Sequence, residues 1–142
     1  MELIQRAYCD RILRVDLSTD SFETTSLPVE VMPLILGGKG LGAWLLYTEQ
    51  RPGVDPLSPK NHLIFHNGPL TGTTAPTSGR FGVTTKSPAT GTYFDAYCGG
   101  YWGNMLKYAG YDALVLSGAA HNPVILVIDD DHVEISPADD LW

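Results

Sequence analysis

Three stretches of this sequence have the residue types needed to hold an anion: Arg80 with its preceding Gly79, the run Cys98-Gly99-Gly100, and the run Gly37-Gly38-Lys39-Gly40-Leu41-Gly42-Ala43. Arg80 stands between a Gly/Ser/Thr-rich loop and an alternating segment. Its planar guanidinium fork suits a carboxylate, a phosphate or a flat polar ring, although an arginine there can equally lie over Phe81 with its head in water. Cys98 to Gly103 (CGGYWG) precedes a short helical pattern. Main-chain N–H groups at a helix start bind anions without a charged side chain, and a glycine-rich link forced by close packing reads the same way. Cys98 has no histidine near it in sequence to activate it, which favours a structural thiol over a nucleophile. Gly38 to Ala43 is a G-x-G-x-x-A variant. A dinucleotide fingerprint must follow a strand and open a helix inside a βαβ unit. Here a proline-containing helical stretch precedes it, so a tight helix–helix turn is expected, with nucleotide binding as the rival. Lys39 is followed by glycine, not Ser or Thr, so this is no Walker A loop. Asp95 suits either the orienting of a ligand group or the capping of a turn. His62, His66, His121 and His132 lack metal-ligand spacing, and His62 and His66 fall on one strand face.

Two of these stretches lie within Asn67 to Gly110, which holds nine of the fifteen glycines. A long polar loop is normally disordered or functional. Phe81, Val83, Tyr93, Phe94, Tyr97, Tyr101 and Trp102 argue against disorder, because disordered segments lack such residues. Glycine among aromatics suits backbone held close to a flat or anionic ligand.

The elements that must carry these loops follow from periodicity. Arg11 to Asp16 alternates as a strand, Leu17 to Asp20 supplies a turn, and Ser21 to Ser26 returns as its hairpin partner. Pro28 opens a helical stretch (VEVMPLIL) that contains Pro33 and stops at Gly37-Gly38. Leu41 to Glu49 reads as a helix with Leu41, Trp44, Leu45 and Tyr47 on its buried side. Arg51 to Asn61 is a proline-rich loop, and His62 to His66 a short buried strand. Arg80 to Thr85 alternates as a strand, and Tyr101 to Tyr108 is a short helix ending at Gly110. Ala113 to Ser117 is an apolar strand. Val124 to Asp129 and His132 to Ser136 flank Asp130-Asp131 as a terminal hairpin. Asp139 or Asp140 can cap a further helix. Strands outnumber helices and cluster in hairpins, which predicts an α+β fold, β-rich, with mainly antiparallel sheets and a few short helices.

At 142 residues the chain is expected to form a single domain, 1–142, with a real core; its hydrophobic fraction is 44%. The net charge of −7 and the scattered basic residues argue against nucleic acid. No apolar run reaches the roughly 20 residues that span a membrane. The start, MELIQRAYCDR, has no secretory h-region, so a cytoplasmic setting is expected. Cys9 and Cys98 are far apart and read as two reduced, partly buried thiols; two cysteines cannot hold an iron–sulfur cluster that takes four.

The runs GPLTGTTAPTSGRFGVTTKSP, CGGYWGNMLKYAGYDALVLSGAA and NPVILVIDDDHVEI, with RILRVDLST, GGKGLGAWLL and VDPLSPKNHLI, closely resemble the amino-terminal domain of the aldehyde ferredoxin oxidoreductase family. The resemblance is collinear and covers nearly the whole chain. It implies a β-rich base on which a tungsten (or molybdenum) bis-pterin lies, in enzymes that oxidise aldehydes to carboxylic acids and pass electrons to ferredoxin. It implies that Arg80 contacts pterin between pterin and cluster, that Tyr97, Cys98 and Gly99 form the turn that binds pterin phosphate, and that the Tyr97 carbonyl ligates a magnesium ion bridging the phosphates. A carbonyl ligates magnesium whatever its side chain, so tyrosine serves where the family often has asparagine. The [4Fe–4S] cysteines and other pterin motifs lie further along in family members. The chain is therefore expected to be a truncated part that works with the remaining domains or subunits, inactive by itself. A truncated base is expected to expose apolar surface and to self-associate as a homo-oligomer. The rival from another class is a stand-alone module that binds a phosphorylated small molecule or assists assembly.

Overall fold

The structure is a computed structural model that describes residues 7–28 and 30–141. Residues 1–6, on which the reading of the amino-terminal start largely rests, lie outside the described residues, as do Val29 of the expected helical stretch and Trp142.

The first hairpin forms as its alternation predicts: β1 (Ile12–Asp16) pairs antiparallel with β2 (Ser21–Thr25). The proline-containing stretch makes only one helical turn, α1 (Met32–Ile35), with Pro33 in the first turn, where a missing N–H costs nothing. Leu36, Gly37 and Gly38 then all take positive φ, reversing the chain into α2 (Lys39–Glu49). This helix starts two residues earlier than predicted and buries Leu41, Gly42, Leu45 and Leu46. Tyr47 is a correction: it is 88% exposed. It stands two positions from Leu45, about 200° around the helix, and so faces away from the core.

β3 (Leu63–Asn67) and β4 (Phe81–Lys86) pair antiparallel, and β4 pairs with β5 (Tyr93–Cys98), a strand that the sequence did not reveal. α3 (Trp102–Tyr108) ends at Gly110, whose φ is +89°. β6 (Ala113–Ser117) leads to the hairpin of β7 (Val124–Asp129) and β8 (His132–Pro137), and Asp139–Leu141 forms a 3-10 turn.

The main sheet has six strands in the order β2-β1-β6-β3-β4-β5. Of the six strand pairings among the described residues only β1–β6 is parallel, so the mainly antiparallel α+β expectation holds, in a mixed sheet. Strand residues alternate between the faces. Ile12, Ile64, Ala113 and Val115 meet Leu41, Leu45, Leu46 and Met32 on one face. Leu13, Val15 and Leu114 meet Leu106, Tyr111 and Val133 on the other. The helices α1 and α2 thus cover one side, and α3 with the β7–β8 hairpin covers the other.

Candidate functional site: four loops at one end of the sheet

The register of three strands builds the site. Asn67 pairs with Phe81, and Phe81 pairs with Cys98. The residues that leave the sheet just beyond these three, Gly68, Arg80 and Gly99, therefore emerge side by side. A Cβ placed on Gly79 would lie 3.4 Å from the Gly100 carbonyl oxygen, so the two glycine loops touch. A fourth loop joins them: the Gly38 N–H donates to the Asn67 carbonyl at 2.9 Å, and Gly38 faces the Gly68 backbone. Arg80 and the Gly99 turn lie on the same side of the molecule, at one sheet end.

Each loop is held in place for a local reason. The Ser and Thr residues of the 68–80 loop bond mostly to the loop itself. Thr73 Oγ1 donates to the Leu70 carbonyl at 2.8 Å and Ser78 Oγ to the Thr73 carbonyl at 3.1 Å. From outside, the Tyr108 hydroxyl donates to the Gly72 carbonyl at 3.0 Å. Thr71, 4% exposed, donates to the Arg80 carbonyl and accepts from the Gly68 N–H, both at 3.1 Å. The Cys98–Tyr101 turn is anchored by Trp102, whose ring centroid lies 4.6 Å from that of Phe81 and 5.0 Å from that of Phe65. A Cβ on Gly103 would sit 2.9 Å from Phe81 Cβ, so only glycine allows α3 to come down on β4 here.

Above this floor the groups are open. Arg80 is exposed, and its guanidinium has no hydrogen-bond partner among the described residues. Gly99 and Gly100 would meet nothing within 4 Å if given a Cβ, and neither N–H has an acceptor among the described residues. Asn67 Oδ1 and Asn104 Oδ1 are buried beneath the loops and likewise unpartnered there. Open backbone donors beside a free guanidinium fit a phosphate-bearing ligand.

β5 is an edge strand and most of it is exposed. Its exposure corrects the expectation of two partly buried thiols: Cys9 is partly buried, but Cys98 is exposed, and both are free. Cys98 Sγ points back to its neighbour's carbonyl, Gly99 O, at 3.3 Å. Tyr97 reaches the opposite sheet face, edge-on to the His66 ring at 6.4 Å. Burial and the nearby Asp95 carboxylate raise its hydroxyl pKa above the usual tyrosine range. Asp95 caps no turn. It pairs with Lys39 at 2.9 Å, and that contact lowers its carboxyl pKa. The pair links the first residue of α2 to the strand that carries the turn.

The Gly38–Ala43 run is a packing device. α1, not a strand, precedes it, which removes the nucleotide reading. A Cβ on Gly40 would lie 2.3 Å from the Ile35 carbonyl oxygen, and one on Gly42 would lie 2.4 Å from the His66 ring. His66 is clamped there with Nε2 3.0 Å from Thr84 Oγ1, and burial lowers its pKa to about 4. No three His, Cys, Asp or Glu side chains gather to hold a metal among the described residues. A metal in this site would depend on the donors of its cofactor and on main-chain carbonyls.

With that geometry in place, comparison with known proteins is decisive. Residues 12–142 match the family described as aldehyde ferredoxin oxidoreductase, N-terminal domain. The chain belongs to the aldehyde ferredoxin oxidoreductase family. It is 50% identical over 132 residues to tungsten-containing aldehyde ferredoxin oxidoreductase of Pyrococcus furiosus, covering 93% of this chain and 22% of that protein. It is 34% identical over 139 residues to the aliphatic sulfonate oxidoreductase, WOR-like subunit, of the same organism, covering 96% and 22%. A solved structure, the active site complex BamBC of benzoyl coenzyme A reductase with 1,5-dienoyl-CoA, superposes with a TM-score of 0.92 at 40% identity, covering 95% of this chain and 21% of that one. The chain thus spans about a fifth of the length of these relatives. No helix among the described residues is long and apolar enough to cross a membrane.

The sequence singled out Arg80, Tyr97, Cys98 and Gly99, and the register brings them to one place. Thr71, Asn67 and Asn104 were missed, and Asp95 was weighed without its pairing to Lys39. Only Thr71 had a signal, a threonine beside glycine in the GPLTGT run. The others depend on how helices and strands distant in sequence come together, which no local pattern announces.

Proposed function

We propose that this chain is the cofactor-cradling base of a tungstopterin oxidoreductase, acting with the remaining domains or subunits of a larger enzyme. The observation that carries the reading is the convergence of a free Arg80 guanidinium with the open Gly99 and Gly100 N–H groups, fixed by the Phe81–Cys98 pair. Arg80 holds the pterin by a charge-assisted contact, and the Cys98–Gly100 turn takes a pterin phosphate on its main-chain donors. The Tyr97 carbonyl, on an edge strand where alternate carbonyls lack a strand partner, would be the residue's donor to a magnesium ion held with the phosphates. When bound, the tungsten (or molybdenum) centre supplies the two-electron redox chemistry that takes an aldehyde to a carboxylic acid. The [4Fe–4S] cluster belongs to other parts of the enzyme, with ferredoxin as acceptor. This chain supplies binding, orientation and electrostatics and by itself turns over no aldehyde.

The relatives include proteins named for aldehydes, for aliphatic sulfonates and for benzoyl coenzyme A. A base shared at this level of identity supports substrate choice residing in the parts beyond this chain. Exposed Tyr101, Met105 and Tyr108 around the site give the partner domains apolar surface to cover, or support self-association when those domains are absent.

The test is Arg80→Ala in an intact enzyme that carries this chain. Loss of tungsten and pterin on desalting supports the reading, and unchanged metal content with unchanged activity rejects it. Thermal stabilisation of the 142-residue chain by phosphorylated metabolites, with no pterin retained in the intact enzyme, would favour the stand-alone binding module.

A further inference from the structure

We propose that Thr71 is the positioning residue for Arg80: its one hydroxyl fixes the peptide from which the guanidinium is aimed. The inference rests on the reading of Arg80 given above. Thr71 is nearly fully buried in a loop whose other hydroxyl-bearing residues are exposed or half-exposed. Its Oγ1 donates to the Arg80 carbonyl and accepts from the Gly68 N–H, both at 3.1 Å, so donor and acceptor roles are both used. Its own N–H returns to the Gly68 carbonyl at 3.2 Å. The preceding residue, Asn67, takes the Gly38 N–H at 2.9 Å. One side chain therefore joins the 68–72 and 78–80 loops, and the Asn67 carbonyl beside them takes the Gly38 loop.

The aim of Arg80 depends on this tie. The guanidinium has no partner among the described residues to hold it. The bond from which the side chain springs is set by the backbone at Arg80, and that backbone is held on both sides. On one side Phe81 is locked in the sheet between Asn67 and Cys98. On the other, Gly79 lies beside Gly100, with room for no more than a methyl between them. The peptide between Arg80 and Phe81 can rotate only if its carbonyl is released, and Thr71 holds that carbonyl. Of the other loop hydroxyls, those of Thr73, Thr77 and Ser78 bond within the loop, Thr74 is exposed, and none bonds to Arg80 among the described residues. A group that holds a binding residue in its productive geometry raises affinity by lowering the ordering cost of binding.

Nuclear magnetic resonance on the isotope-labelled 142-residue chain tests this in two arms. Without ligand, Thr71→Val keeps the shape and removes the hydroxyl. It should speed amide exchange at Gly79 to Phe81 by about tenfold relative to β6 and shift the Arg80 Nε–Hε resonance, while Thr71→Ser restores both. If Thr71→Val does not fold, the wild-type hydroxyl proton decides: it should be visible and protected, and a freely exchanging hydroxyl overturns the proposal. In the second arm, magnesium pyrophosphate is the probe. Thr71→Val should weaken its binding about tenfold, and should cost nothing further in an Arg80→Ala background. Equal losses with and without the arginine side chain overturn the proposal, as does unchanged exchange in Thr71→Val. If the wild type fails to bind pyrophosphate, the cofactor-seat reading fails, and the ligand-free arm still decides Thr71.

Discussion

The glycines of α2 and β4 and the glycines after β5 look alike in sequence and do opposite things. Gly42 and Gly82 face each other across the His66 ring. A Cβ on the first would lie 2.4 Å from the ring, and on the second 2.2 Å. Gly99 and Gly100 face nothing within 4 Å. In the first region the missing side chain lets two pieces of protein close on each other. In the second it leaves main-chain donors bare. Glycine density therefore does not mark a binding site; the space beside each glycine does.

Gly42→Ala should have the largest effect and sharpen the contrast most. Its Cβ meets both the His66 ring and Thr84 Oγ1, so overpacking should cost about 3 kcal/mol, read as a lower thermal midpoint. Retention of wild-type stability would erase the distinction between the two regions. The pH dependence of the same region comes next. The His66 pKa is lowered from 6.5 to about 4 by burial, so the unfolded chain binds this proton at higher pH than the folded one. Stability should fall as the pH drops from about 6.5 to about 4, by about 3 kcal/mol, and this component should level off below that. Denaturant unfolding across that range checks it, with His66→Asn expected to remove the slope.

The open region should behave in the reverse way. Arg80→Ala should change stability by less than about 0.5 kcal/mol, yet should weaken binding of magnesium pyrophosphate, measured by calorimetry, by about tenfold or more. Gly99→Ala is the mildest. Gly99 has no positive φ and open space beside it, so thermal unfolding should move by less than about 0.5 kcal/mol. The same titration should still show weaker binding, because a methyl then stands beside the donors. A stability loss as large as that of Gly42→Ala would mean that the turn is packed, not open.

The sequence revealed hairpins and helix ends because those are local. Alternation around Leu17 to Asp20 and around Asp130-Asp131 sufficed for β1–β2 and β7–β8, and Gly110 marked the end of α3. The sequence hid β5, because YFDAYC lies on an edge where neither face needs a continuous apolar row, and its flanking glycines absorbed it into a loop. Tyr47 misled because an aromatic within helical reach of Trp44 reads as core until the neighbouring sheet is known. For the site, residue type pointed to Arg80 and Gly99. Their adjacency comes from the Phe81–Cys98 register, and no pattern within either segment encodes it. The Gly/Ser/Thr loop before Arg80 favoured a ligand there, yet Thr73, Thr77 and Ser78 bond the loop to itself.

The parallel pair β1–β6 has a kinetic consequence. Ile12 pairs with Ala113, about a hundred residues later. At a synthesis rate of roughly 5–20 residues per second, that separation is about 5–20 s on the ribosome. For most of that interval β1 and β2 are already made, with Ile12, Leu13 and Val15 still lacking β6, and only near its end are β3, β4 and β5 complete and free to assemble as a meander. Closure of the sheet therefore waits on the late arrival of one five-residue strand, and in the interval the nascent amino-terminal hairpin keeps one edge open.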